Sequence, residues 1–509
     1  MSNKPQPESD SRMGTWVLVF VAAGIFLRLL RYSMNMPAWG DETALALNFL
    51  NRGYAELWKP LDFNQVAPIG FLWAERAMYV HFGSSEWSMR FLPMLAGVIS
   101  MALFAYWARL LTSDLAAAIA TGVLAVGNYS VRYAVELKPY GFDFFAAMLL
   151  LLPATLFLLR RQSRWLICLI VLTPIALALS YPAIFVAGGI SITLMLFVRR
   201  LTLPQFALAS TFNMVMFASF WFLVLRVAIG QYNLTHDAMT DYWKGAFPPA
   251  NPLRLIWWLI LIHTGNMFEY PFGGANGAST LSFVVFIVGL IAWWKTRRWE
   301  LLCLMLAPFA LNFAAAVVRR YPYGQSARVA QSLAPAIILL IGVGAVTLIE
   351  SLTLDPAKRL KSSQIIFAIL LIFGGFVAGD TLLHPYKSRD DVAARQEIYS
   401  LFQRVPPSDM IAVLMPRDKV QVTLQWYLRR QDQRISWNAE EDRPWAGKSS
   451  PVWVLNLQPG AGIQLRLQAD LRRRLVDYHL IMADHDLDTV PLRYWELFVF
   501  GPKANTPRP

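Results

Sequence analysis

The stretch TWVLVFVAAGIFLRLLRY at residues 15–32 is followed shortly afterwards by Trp39-Gly40-Asp41-Glu42. The first part is apolar and close to the ~20 residues that a helix needs to cross a bilayer. Two adjacent carboxylates at the edge of a bilayer are costly and need a structural or functional reason. Asp41 therefore has two interpretations, as a cap for the amphipathic helix that follows or as a catalytic carboxylate.

The composition is that of an integral membrane protein. Of the 509 residues, 56% are hydrophobic and 16% are charged, whereas soluble domains carry about 25% charged residues. The net charge of +13 would suggest nucleic acid in a soluble protein, but much of it lies in short loops between apolar runs. The positive charge therefore indicates which loops face the cytoplasm, and we predict no nucleic-acid partner. Cys168 and Cys303 lie inside apolar runs and indicate neither a disulfide nor a metal site.

About eleven apolar runs approach the length of a membrane span. Basic residues cluster in alternate loops, which are predicted to face the cytoplasm. The N-terminal tail is then cytoplasmic, and the chain after the last run lies outside. The fifth and sixth runs are short and form either two spans or one broken unit. The runs are 15–32, 88–111, 115–131, 139–159, 165–179, 182–198, 205–227, 279–294, 301–318, 330–349 and 364–383.

These runs predict a polytopic α-helical membrane protein followed by a small soluble domain. The expected organisation is a cytoplasmic tail (1–14), a transmembrane domain (15–384) and a periplasmic α/β domain (385–509). The first outer loop is expected to contain interfacial helices at 42–50 and 69–80. The outer loops are 34–87, 229–278 and 319–328. Alternating patterns in the tail predict strands at 410–414, 452–457, 479–483 and 494–500, with helices at 420–429 and 462–475.

The short outer turn before the fourth run is crowded with polar and aromatic side chains. Glu136 and Lys138 lie in this turn, and Asp143 lies one helical turn into the run. An interfacial belt of snorkelling cations and tyrosines explains part of this pattern. An intramembrane carboxylate is costly unless it has a partner, so at least one of these three residues is expected to be functional.

The turn at 319–328 places basic residues on the outer side, against the positive-inside rule. Arg320, Tyr321 and Arg328 are therefore candidates for binding an anionic ligand at the membrane surface. Arginine forks match pairs of phosphate oxygens, and a polyprenyl phosphate would hold its phosphate at this depth. The alternative is contact with ordinary lipid headgroups.

The order and outward placement of these motifs resemble the GT-C superfamily of membrane glycosyltransferases. The resemblance covers roughly residues 15–349. Its bacterial branch includes protein O-mannosyltransferases, lipid A aminoarabinose transferases and rhizobial lipopolysaccharide galacturonosyltransferases. The matching motifs are the acidic pair Asp41-Glu42, the interfacial segment 64–72, the turn 133–140 and the turn 320–328.

The resemblance implies a polyprenyl-phosphate sugar donor, inversion at the transferred sugar, and a glycolipid, glycan or protein acceptor. Asp41 would be the general base and Glu42 its acidic neighbour, with Glu136 and Asp143 as further acidic candidates. Lys138, Arg320, Tyr321 and Arg328 would hold the leaving phosphate. No cofactor is implied with certainty. Relatives often carry a metal-binding side chain before the proline of the interfacial segment, but Val66 and Ala67 stand here, which weakens the case for a divalent metal.

Two other classes of protein share some of these features. A non-catalytic lipid-glycan transporter or flippase would also have many spans, but transporters place ionisable groups near the midplane and show internal repeats. A polymerase or ligase of lipid-linked glycans would share the outer arginines without needing Asp41 and Glu42. The outer-surface placement of the charges favours the enzyme, and the resemblance implies a bacterial inner membrane with the C-terminal domain in the periplasm.

Overall fold

The computed structural model describes residues 8–271, 274–414, 422–431, 435–437, 452–456, 478–484 and 496–502. Within them the chain forms two compact units. The first comprises Met1–Asn35 and Asn48–Pro385, and the second comprises Met36–Leu47 and Tyr386–Pro509. The segment with the acidic pair therefore groups with the C-terminal part, whereas the sequence analysis placed it in the transmembrane domain.

Helices dominate the first unit. Their bounds are α1 (Glu8–Ser33), α2 (Gly40–Asn51, shared between the units), α3 (Ile69–Phe82), α4 (Glu86–Leu111), α5 (Asp114–Val126), α6 (Asn128–Tyr133), α7 (Tyr140–Arg160), α8 (Arg164–Leu179), α9 (Ala183–Leu196), α10 (Leu203–Ser219), α11 (Arg226–Tyr242), α12 (Pro252–His263), α13 (Ala278–Lys295), α14 (Trp299–Val317), α15 (Ala334–Leu352) and α16 (Pro356–Leu383).

The described residues contain eight helical stretches that are long and apolar enough to cross a membrane. Three shorter apolar helices, α5, α8 and α9, have 13, 16 and 14 residues. Each of the eleven predicted runs overlaps one of these helices, and α8 and α9 are separate. The prediction of a polytopic helical membrane protein is confirmed. The eight long stretches are Met13–Ser33, Glu86–Leu111, Tyr140–Arg160, Leu203–Gln231, Ala278–Lys295, Trp299–Val317, Ala334–Leu352 and Pro356–Leu383.

Helices are present at both positions where interfacial helices were predicted, as α2 and α3. The second outer segment differs from the prediction, because a π-helical stretch, Phe220–Leu225, joins α10 to α11 and the chain stays helical to Tyr242. A further helix, α12, follows within the same segment. Hydropathy ended the run near residue 227 because the sequence becomes polar there, but a helix does not need to stop where the membrane does.

Glycine allows a close helix contact in the first unit. Helices α13 and α15 pack against each other, with Gly344 facing the carbonyl oxygen of Val285 and Gly289 facing that of Leu340. A side chain at either glycine would collide with the facing backbone. Small residues let membrane helices approach closely in this way.

The second unit contains a five-stranded mixed sheet in the order β2-β1-β3-β5-β4. Strand β1 is parallel to β2 and β3, whereas β5 is antiparallel to β3 and β4. Four of these strands overlap the predicted ones, and the predicted helix at 462–475 lies outside the described residues. The elements are β1 (Met410–Leu414), β2 (Ile435–Trp437), β3 (Val452–Asn456), β4 (Tyr478–Asp484) and β5 (Glu496–Pro502), with helices α17 (Arg389–Arg404) and α18 (Val422–Gln431).

Candidate active site

The acidic pair lies in the first turn of α2. The helix begins at Gly40, so Asp41 is its second residue and does not precede it as a cap would. Glu42 is fully buried, and its carboxylate accepts a hydrogen bond from the Trp39 backbone N–H at 3.2 Å. Glu42 thus reaches back over the helix start as the acidic member of a capping box does. Asp41 is half-buried, where the helix dipole favours its charge.

The residues before α2 are held by the C-terminal part of the same unit. The backbone N–H of Ala38 donates to the hydroxyl of Tyr427 at 2.9 Å, and the ammonium of Lys387 lies over the Trp39 ring. Tyr427 is fully buried. These contacts fix the start of α2, and with it the position of Asp41.

Lys138 lies in the first unit and is buried. Its ammonium donates to the amide oxygen of Gln65 at 2.6 Å. Gln65 belongs to the interfacial segment 64–72, so two of the motifs that carried the resemblance meet here. The hydroxyl of Tyr181, from the break between α8 and α9, donates to the Ala67 carbonyl at 2.9 Å and reinforces this contact.

Glu136 forms an ion pair with Arg132 one helical turn away, at 2.6 Å. The Tyr133 ring stacks on Tyr129 with centroids 5.5 Å apart, and the Arg132 guanidinium lies 6.0 Å from the centre of the Tyr133 ring. Burial, followed by the charge of Glu136, raises the pKa of Tyr133 above its usual value. The turn therefore places the neutral phenols of Tyr129 and Tyr133 beside the ion pair of Arg132 and Glu136.

Asp143 has the partner that its position inside α7 requires. The Ser180 hydroxyl donates to its carboxylate at 2.7 Å, and the Ala183 N–H donates to the Ser180 oxygen at 3.2 Å. Both Asp143 and Ser180 are buried. This carboxylate links α7 to the start of α9.

The turn at 319–328 lies close to Asp143 within the first unit. The Tyr321 ring packs edge-on against the Phe185 ring, with centroids 5.3 Å apart. Its phenol also interacts electrostatically with the Asp143 carboxylate. Burial, followed by that charge, raises the pKa of Tyr321 well above its usual value. Arg320 is exposed at the surface of the turn.

Arg328 is held between aromatic rings. Its guanidinium lies 5.3 Å from the centre of the Tyr242 ring and 4.7 Å from that of Trp243, and it donates to the Tyr242 hydroxyl. The positive charge of Arg328 also acts on Tyr133. The structure thus brings Lys138, Glu136, Asp143, Tyr321 and Arg328 into adjoining turns of the first unit.

Sequence reasoning assigned no role to several residues around these turns. Glu269, which is buried, accepts from the Gly274 N–H at 3.0 Å and, after burial itself, helps raise the pKa of Tyr129 to about 12. Tyr270 is fully buried and accepts from the Gln331 amide at 3.1 Å. Both belong to the Gly- and Pro-rich stretch after α12. That composition was a signal of an irregular binding loop, but it did not identify its partners.

The described residues contain no group of three His, Cys, Asp or Glu side chains arranged to hold a metal ion. His263 belongs to a different arrangement, since its Nδ1 lies 2.8 Å from the Leu259 carbonyl oxygen and its Nε2 lies 3.1 Å from the Tyr323 hydroxyl. Burial lowers the pKa of His263. The neutral ring, with Nδ1 donating and Nε2 accepting, satisfies both contacts.

Comparison with known proteins gives a match to a family model over part of the chain and a similar fold over nearly all of it. Residues 66–222 match the family model described as dolichyl-phosphate-mannose-protein mannosyltransferase. The crystal structure of ArnT from Cupriavidus metallidurans bound to undecaprenyl phosphate is 14% identical, covers 97% of this chain and 99% of its own, and superposes with a TM-score of 0.57. The same protein in the apo state is 13% identical, with 95% and 98% covered and a TM-score of 0.56. No curated protein sequence matches the chain.

The chain therefore has the fold of the GT-C superfamily of membrane glycosyltransferases, as its sequence motifs predicted. Within that superfamily, its likeness to ArnT extends over nearly the full length of both proteins. The segment that matches the mannosyltransferase model begins in the interfacial segment and ends beyond α10, and it contains Glu136, Lys138 and Asp143.

Proposed function

We propose that this protein is a glycosyltransferase that moves a sugar from a polyprenyl-phosphate donor to a lipid, glycan or protein acceptor. The reaction takes place on the periplasmic side of a bacterial inner membrane and inverts the sugar. The observation that carries the proposal is the likeness, over nearly the full length of both chains, to ArnT, a protein crystallised with undecaprenyl phosphate bound. The buried Lys138 beside Gln65, in the turn that carried the resemblance, supports it.

The phosphate is assigned to the adjoining turns of the first unit. Lys138 offers a buried ammonium, while Arg328 and Arg320 offer guanidinium forks that suit phosphate oxygens. The phenol of Tyr321 is protonated at neutral pH and can donate a hydrogen bond. Donors of this kind stabilise the negative charge that grows on the phosphate as the glycosidic bond breaks.

Asp41 is assigned the role of general base. The acceptor oxygen attacks the anomeric carbon, its proton passes to the Asp41 carboxylate, and the bond to phosphate breaks with its electron pair going to the phosphate oxygen. Glu42 shapes the start of α2 through its bond to Trp39. Glu136 and Asp143 are bonded to Arg132 and Ser180, and Asp41 is preferred because the family resemblance places the base at this position.

The test is sugar transfer by membranes that contain matched amounts of each variant. Labelled sugar is supplied on a polyprenyl phosphate, and label in membrane glycolipid, glycan and protein fractions is counted. Asp41→Asn keeps the shape of the side chain but cannot accept the proton, so transfer should fall by a factor on the order of 10²–10⁴. Glu42→Gln should retain measurable turnover. Near-normal transfer by Asp41→Asn would contradict the assignment of the base.

A further inference from the structure

A cavity of about 580 Å³ lies at one end of the helix bundle in the first unit. It is formed where α4 meets α5, where α7 ends, where α9 leads into α10, and where α13 turns into α14. Helix α5 begins at this cavity and ends just before the turn with Lys138. Its 13 residues span about 20 Å at 1.5 Å per residue, so the cavity and the candidate phosphate site lie at opposite ends of the bundle.

The cavity is lined by basic side chains and by an apolar wall. Arg200, Arg297 and Arg298 supply three guanidinium groups, and leucines from α4, α7 and α14 supply the apolar wall. The carboxylate in the lining is that of Glu300, which Arg161 already engages through both oxygens at 2.5 and 2.6 Å and which Arg200 approaches to 3.3 Å. One negative charge shared between two arginines leaves the lining with excess positive charge.

The surroundings place the cavity at the depth of lipid headgroups. Trp294 and Trp299 pack edge-on with ring centres 4.4 Å apart, and tryptophan is enriched at membrane–water interfaces. Arg298 donates to the Leu111 carbonyl at 2.5 Å and lies over the Trp293 ring, which holds the mouth of the cavity in place. Helices α5 and α14 both begin here, so the positive ends of two helix dipoles point the same way.

The backbone at Arg297 makes this residue suitable for testing the cavity. This exposed residue has φ = 55°, in the left-handed region that favours glycine or asparagine. Glycine can therefore replace Arg297 without backbone strain, and the replacement removes one guanidinium from the lining of the cavity.

We propose that this cavity binds the phosphate of an anionic phospholipid headgroup from the leaflet opposite the candidate phosphate site. Guanidinium forks match phosphate oxygens in pairs, and basic pockets between membrane helices bind such headgroups. The volume falls within the range of about 300–1,000 Å³ typical of small-ligand sites. The apolar wall suits the first carbons of the acyl chains.

The test uses the full chain in detergent and measures its melting temperature as lipid is added. Phosphatidylglycerol should raise the melting temperature of the wild type, and phosphatidylcholine should have little effect, because only a bound ligand stabilises the folded state by mass action. Arg297→Gly suits the left-handed backbone, so the fold should persist while phosphatidylglycerol binds at least tenfold more weakly. Lys361→Gln, an exposed cation on α16, is the matched control and should behave as the wild type.

Two outcomes would overturn the proposal. An equal response to phosphatidylglycerol in Arg297→Gly and the wild type would show that the cavity does not bind the headgroup. A response to millimolar inorganic phosphate as large as that to phosphatidylglycerol would identify a free anion as the ligand instead of a lipid.

Discussion

Lys138 shows how much a single residue reveals from sequence alone. The resemblance to a known family implied that this cation holds a phosphate, and the structure buries it against Gln65. The pairing itself was not predictable, because the two residues are 73 positions apart and no local pattern links them. The same is true of Tyr129 and Glu269. Asp143 needed a partner, but its sequence neighbours did not reveal Ser180.

Lys138 provides the first residue-scale prediction. Lys138→Met keeps most of the length of the side chain and removes the charge, so binding of undecaprenyl phosphate should weaken by about 10- to 100-fold, in line with ~1.5–3 kcal/mol for a hydrogen bond to a charged group. Lys295→Met, an exposed lysine at the end of α13, is the control. Native mass spectrometry of the lipid complex gives the affinities. Equal affinities in both variants would remove Lys138 from the phosphate site.

Glu75 provides a second prediction, on stability. It is fully buried in α3, and neither carboxylate oxygen has a hydrogen-bond partner among the described residues. Burial raises the pKa of Glu75 well above its usual range, so the folded state favours the protonated form. The folded state then binds more protons than the unfolded state, and this contribution is lost as pH rises through the raised pKa.

Glu75→Gln removes that titration while keeping the shape of the side chain. The melting temperature of the wild type should fall relative to this variant as pH rises above the usual glutamate range. Glu350→Gln, at the exposed end of α15, should follow the wild type at every pH. Parallel curves for wild type and Glu75→Gln would mean that Glu75 is solvated or paired.

At the scale of elements, hydrophobic runs located the helices well because their length and apolarity are imposed by the bilayer. The hydrophobic runs did not predict the end of a helix that continues beyond the apolar region, as α11 does to Tyr242. The start of α2 was also misjudged by two residues, since the helix was expected at 42–50 and begins at Gly40. Glycine has low helix propensity, so nothing in the sequence indicated that it would begin the helix.

The pair formed by α13 and α15 gives a prediction at this scale. Gly344→Ala forces a methyl group against the Val285 carbonyl and should destabilise the protein by about 1–3 kcal/mol, as overpacking does. Gly375→Ala in α16 has no atom within 4 Å of the new methyl group and should be neutral or slightly stabilising. Melting temperatures in one detergent compare the two variants. A Gly344→Ala protein as stable as the Gly375→Ala protein would contradict the close packing of α13 and α15.

At the scale of the whole molecule, composition alone predicted a membrane protein, and the order of the motifs predicted the GT-C fold. The sequence analysis did not predict that the segment with the acidic pair forms one compact unit with the C-terminal part. That grouping depends on contacts such as Ala38 with Tyr427, which join residues 389 positions apart. The basic loops around the cavity are expected to be cytoplasmic, which would set the candidate phosphate turns in the periplasm.

The fate of the donor lipid tests the central claim most directly. The purified protein is reconstituted in vesicles with a polyprenyl-phosphate sugar labelled in the sugar and an extract of membrane acceptors, and both lipid products are quantified. A glycosyltransferase breaks the bond between sugar and phosphate, so the account predicts free polyprenyl phosphate and labelled acceptor in equal amounts. Asp41→Asn should form neither. Donor that crosses the bilayer intact, with no polyprenyl phosphate released by the wild type, would contradict the account and identify a translocator.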